Sequence, residues 1–101
     1  MADDLIQMAR AVQDAALATE GVASLGTGRW AEAATYGAGE KVTGVVVSPN
    51  EVRVHIVANY PPSEPLQALA ERVRQRATSK AGGRPAMVVV EDIEVVQDEN
   101  L

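Results

Sequence analysis

The stretch from Val52 to Val96 leaves this chain few folds to choose from. Val52, Val54, Ile56 and Ala58 alternate with Arg53, His55, Val57 and Asn59, the period of a strand with one covered face. Pro61 and Pro62 break that strand. Leu66, Leu69, Ala70, Val73 and Ala77 then recur at helical spacing, with Ser63 read as the N-cap and Pro65 tolerated in the first turn. Arg72, Arg74, Arg76 and Lys80 crowd the C-terminal half, where the helix dipole favours cations. Gly82 and Gly83 stop the helix, and Ala86 to Val96 forms a last strand built on Met87-Val88-Val89-Val90, Ile93 and Val95. Strand, helix and strand in succession predict a right-handed crossover joining two parallel strands.

Upstream, residues 3–19 read as a helix. Asp3 and Asp4 suit its N-terminal dipole, Leu5, Ile6, Ala9, Val12, Ala16 and Leu17 share a broad face, and Gly21 follows as a stop. Val22 to Leu25 is a short strand ending in the Gly26-Thr27-Gly28 turn, and Trp30 to Tyr36 is a weaker, alanine-rich one. Val42 to Ser48 is a strong strand for its three consecutive valines. The Pro49-Asn50 turn should fold it back as an antiparallel hairpin with 52–59. The predicted order is α-β-β-β-β-α-β. It amounts to an α+β two-layer sandwich, with two helices on one face of a mixed sheet. At 101 residues this is a single domain spanning 1–101, with residues 97–101 expected to fray.

Composition sharpens the picture. Apolar residues make up 47% of the chain but aromatics only 3%, with no Phe, so the core must be built from Ala, Val, Leu and Ile. Such a core is thin, because each aromatic side chain would bury about 150–250 Å². An oligomer interface would add burial. The net charge of −5 argues against nucleic acid and anionic lipid as main partners. The absence of Cys removes disulfides, thiolate metal sites and Cys nucleophiles. The acidic start Met1-Ala2-Asp3-Asp4 is unlike a signal peptide, and no apolar run approaches the ~20 residues that span a bilayer. A cytoplasmic protein without direct membrane insertion is expected.

Candidate chemistry is sparse. His55, the single histidine, is read as a surface residue on the polar side of its strand, since a general base needs an orienting or reacting partner. Glu91, Asp92 and Glu94, with Asp98 and Glu99 beyond, read as edge charge that discourages aggregation. Strict alternation would keep Glu91 off the face shared by Asp92 and Glu94. Gly26-Thr27-Gly28 lacks the spacing and the Lys of a phosphate loop. No catalytic, metal or cofactor residues emerge.

The informative feature is the second sheet face. If helices cover Val52, Val54 and Ile56, then Val57 and a set drawn from Val45, Val47, Val88 and Val90 face away, with Trp30 and Tyr36 able to join them. An apolar patch of that kind marks an interface. The alternative is that loop 26–41 folds across it. Arg72 and Arg76 project together from the second helix, either as a solvated face or as a contact for another copy's acidic 91–99 region.

Several stretches together resemble the alkaline-shock-protein family of bacterial envelope stress proteins, particularly its short actinobacterial members. They are Gly21-Val22 after an N-terminal helix, Gly44-Val45-Val46-Val47, Val52-Arg53-Val54-His55-Ile56-Val57, Glu71-Arg72-Val73-Arg74 and Val88-Val89-Val90-Glu91-Asp92-Ile93. The similarity runs from about Glu20 to Val96 and rests on order and spacing. It implies a small, non-enzymatic, self-associating protein, in some members held at the membrane by a separate membrane-spanning partner, and linked to envelope stress. Tyr60-Pro61-Pro62 departs from the family, where many members have Tyr followed by Gly. A small-ligand or RNA-binding sheet domain is the second reading. RNA-binding sheets carry paired exposed aromatics in a basic surround, which this chain lacks.

Overall fold

A computed structural model of the chain describes residues 2–28 and 31–95. It is an α+β fold in which α1 (Ala2–Leu17) leads into β1 (Val22–Leu25), β2 (Ala34–Gly37), β3 (Glu40–Thr43), β4 (Val45–Val47) and β5 (Val52–Tyr60), followed by α2 (Leu66–Thr78) and β6 (Ala86–Val95). The order is thus α-β-β-β-β-β-α-β, one strand more than predicted. The extra element arises because the expected strand 42–48 breaks at Gly44, whose φ of +92° an L side chain rarely adopts. A Cβ there would also lie 2.6 Å from Leu25 Cβ.

β5 is the central strand. One of its edges pairs in parallel with β6 along its whole length, from Val52 opposite Ala86 to Tyr60 opposite Val95. This is the crossover connection that the succession of strand, helix and strand demands. The other edge is shared end to end by two short antiparallel strands. β1 pairs with residues 56–58 and β4 with residues 52–54. His55 sits at their junction: its C=O accepts from Gly26 N–H at 2.7 Å and its N–H donates to Gly44 C=O at 2.8 Å. β1 and β4 therefore behave as one edge strand with residues 27–43 inserted into it.

That insertion carries the antiparallel β2–β3 hairpin, which does not join the main sheet. It is fastened by the buried Thr35, whose hydroxyl donates to Val45 C=O at 2.6 Å and accepts from Val47 N–H at 3.1 Å. One side chain thus satisfies backbone groups along β4 that a neighbouring strand would otherwise take.

The core lies between the helices and one face of the sheet. Ile6, Ala9, Val12 and Ala16 of α1 and Leu69, Val73 and Ala77 of α2 pack on Val52, Val54, Ile56 and Ala58, all buried. Small residues at the helix faces let α1 and α2 approach the valine-rich strands closely, so a core without Phe still closes. α2 starts later than expected. Pro65, not Ser63, holds the N-cap position and no side chain caps the helix. A residue preceding proline is disfavoured in helical conformation, so Glu64 cannot be the first helical residue that a Ser63 cap would require. The expected fraying of 97–101 and the end of the last strand at Val96 lie outside the described residues.

Candidate interaction surface

The register of β5 with its neighbours decides which side chains face away from the helices. Residues opposite one another in a ladder point to the same face. Val45 and Val47 lie opposite Val54 and Val52, and Val88 and Val90 lie opposite Val54 and Ile56. All four therefore belong to the helix-covered face, where Val45 is fully buried and Val47, Val88 and Val90 pack against the core. This corrects the expectation that a set of them faces outward. The strand pattern permitted either face, because three valines in a row show no alternation. Of the expected open-face strand residues only Val57 is there, and it is half-buried. Its apolar companions are Val46, opposite Arg53, Met87, opposite Arg53 from the other side, and Val89, opposite His55.

Across this face runs a polar latch that the sequence reading missed. The β5–β6 ladder steps from Ile56 opposite Val90 to Val57 opposite Asp92, leaving Glu91 unpaired in a β-bulge. The bulged Glu91 reaches back across the open face. Its Oε1 lies 2.9 Å from His55 Nδ1 and accepts from Gly28 N–H at 2.7 Å. The two side chains are only 14% and 13% exposed, so His55 is not the surface residue expected. An ionised carboxylate can only accept, so Nδ1 is the donor of the pair. Gly26 makes room, since a Cβ there would stand 2.4 Å from the Glu91 carboxyl carbon. The latch draws the 26–28 segment over the middle of the open face, so the alternative of a covering loop holds for that part of it.

The bulge also rearranges the acidic run. Asp92 and Glu94 lie opposite Val57 and Asn59, so they share a face as expected; it is the open one, and Glu91 joins them there instead of pointing away. Beyond the bulge Ile93 and Val95 fall opposite Ala58 and Tyr60. A signal for this was present only in part: Glu91-Asp92 interrupts the valine run, but nothing in one strand's composition tells a bulge from a plain continuation.

β6 is the most exposed element of the sheet. No strand among the described residues pairs with its outer edge. Six large hydrophobic residues stand exposed among the described residues, and three of them, Met87 (49%), Ile93 (39%) and Val95 (60%), belong to β6. Tyr60 is a fourth, opposite Val95 at the end of the same ribbon. Tyr36 is 62% exposed on the β2–β3 hairpin, where its hydroxyl hydrogen-bonds Glu32, and it does not join β6. Trp30 lies outside the described residues.

The basic pair divides. Arg72 is committed within the fold. Its guanidinium donates to Glu64 Oε1 at 2.8 Å from Nε and to Glu20 C=O at 2.7 Å from Nη2, tying α2 to the turn before β1. Arg76 is exposed in the last turn of α2. Beside Arg72 lies a cleft of about 170 Å³ between Glu20, Asn59, Pro62, Glu64 and Leu69. Among the described residues, no helix is long and apolar enough to cross a membrane.

Among the described residues, fold and surface together define an α+β domain with one helix-covered sheet face and a long strand left open at the sheet margin. Comparison with protein-family models, curated proteins and solved structures yields no match.

Proposed function

We propose that this chain is a non-enzymatic, self-associating interaction module, an envelope-stress-type protein of the alkaline-shock kind, with β6 as its contact. The observation that carries this reading is the state of β6 itself. Among the described residues it is a ten-residue strand with an unpaired outer edge and half of the exposed large hydrophobic side chains. An open edge is a template for pairing, and apolar side chains beside it add the hydrophobic term. Within this reading the single histidine is structural: its Nδ1 bonds Glu91 in a cluster that ties strand, bulge and loop together. A cytoplasmic location and docking to a membrane-anchored protein belong to the same proposal. The test is light scattering on the eluting protein from about 1 to about 100 μM, the range in which a modest homodimer assembles. A mass above one chain that rises with concentration supports the reading, and a lone chain throughout refutes it.

A further inference from the structure

Resting on that reading, the geometry points to a specific mode of contact: two copies join β6 to β6, antiparallel about a two-fold axis at Val88. The strand is divided by its bulge. Before Glu91, the span Ala86–Val90 is regular and uncharged, whereas after it Asp92 and Glu94 add negative charge. A bulge ends regular pairing, so a ladder between copies is confined to 86–90 on each side. One antiparallel register pairs that whole span with itself. It sets Val88 opposite Val88, Met87 opposite Val89, and Ala86 opposite Val90. Directly opposed residues share a face, so Met87 of each copy meets the other's Val89 on the open face and extends its apolar strip across the junction.

Charge selects the same arrangement. The crossover lays α2 antiparallel to β6, so the exposed Arg76 in the last turn of α2 and the exposed Lys80 just beyond it lie near the start of the strand. Asp92 and Glu94 lie at its far end. An antiparallel pair places each acidic end beside the partner's basic end. A parallel pair would place acid beside acid, and so would an antiparallel register slipped toward the bulge. The two-fold arrangement is closed, which yields a dimer with a continuous sheet and leaves no second β6 edge for further growth.

The test exploits the cross-pairing of positions 87 and 89. Met87→Glu puts a carboxylate opposite Arg53 within its own chain, and Val89→Lys puts an ammonium opposite His55 and two residues from Glu91, so the folding stability of each variant is measured beside its assembly. In the proposed register each single variant faces an apolar residue across the junction and should raise the dimer dissociation constant about tenfold, as an edge charge does. The double variant creates two opposite-charge pairs across the axis. It should associate about three-fold or more tightly than the two single effects combined would predict. Melting curves on each variant separate lost assembly from lost folding. Hydrogen exchange on the unmodified protein gives a second readout, in which edge amides within 86–90 gain protection as concentration rises. Additive losses in the double variant, or a dimer with unprotected 86–90 amides, overturn the edge pairing while leaving self-association standing. A protein that stays monomeric overturns both.

Discussion

Replacing Glu91 by alanine tests the latch on the open face most directly. Glu91 Oε1 holds Gly28 N–H at 2.7 Å and His55 Nδ1 at 2.9 Å, and both side chains of the pair are nearly buried. A hydrogen bond to a charged group contributes roughly 1.5–3 kcal/mol, and an orphaned buried donor costs about 1–3 kcal/mol. The truncation opens a path for water to both orphans, which returns part of that cost. A net destabilisation of about 2 kcal/mol follows, equivalent to a fall of roughly 8–16 °C in melting temperature for a domain this size. Glu91→Gln, which keeps an acceptor oxygen but not the charge, should lose about half as much. Urea unfolding of Glu91→Ala, His55→Ala and the double variant closes a cycle whose coupling should reach about 0.5–1.5 kcal/mol, as for groups in contact. Exchange of the Gly28 amide should accelerate in Glu91→Ala while that of His55, bonded to Gly44 C=O, stays slow. A loss under about 0.5 kcal/mol, or a coupling near zero, would refute the latch as a stabilising feature.

Three further outcomes follow from single contacts. Thr35→Val keeps the shape of a buried residue but removes the hydroxyl that serves both Val45 C=O and Val47 N–H, so urea unfolding should register a loss of about 1–3 kcal/mol. Gly44→Ala meets a positive φ and a contact of 2.6 Å with Leu25 Cβ, and thermal melting should show it destabilised by at least about 1–2 kcal/mol. The Glu71 carboxyl is held below its ordinary range, first by the hydrogen bond from Arg74 and further by the charge of that guanidinium. Because the folded value is depressed, the pair's contribution is present above the unfolded carboxylate range and is lost as pH falls through the folded value. A carboxyl NMR titration of Arg74→Ala should therefore show the Glu71 midpoint move up, and an unmoved midpoint would refute the pairing.

Much of this fold was legible as pattern. The 3.6-residue spacing in α1 and α2 and the alternation in β5 reflect burial against a single layer, and each element's own residues encode that. The crossover from β5 through α2 to β6 followed from a connection too long for a hairpin and filled by a helix. The valine runs carried no such information. Val45, Val46 and Val47, like Val88, Val89 and Val90, are apolar whichever way they face, and only their partners in the ladder assign the faces.

What the sequence by itself determined is the α+β class, the helix-covered face of β5 and the parallel pairing of β5 with β6, because periodicity and chain connectivity are local properties. Tertiary structure alone decided the rest. The bulge that turns Glu91 onto His55, the division of one edge strand into β1 and β4, and the exposure of β6 all depend on residues tens of positions apart meeting in one register. That meeting is set by the packing of the whole sheet, and no single segment of the chain contains it.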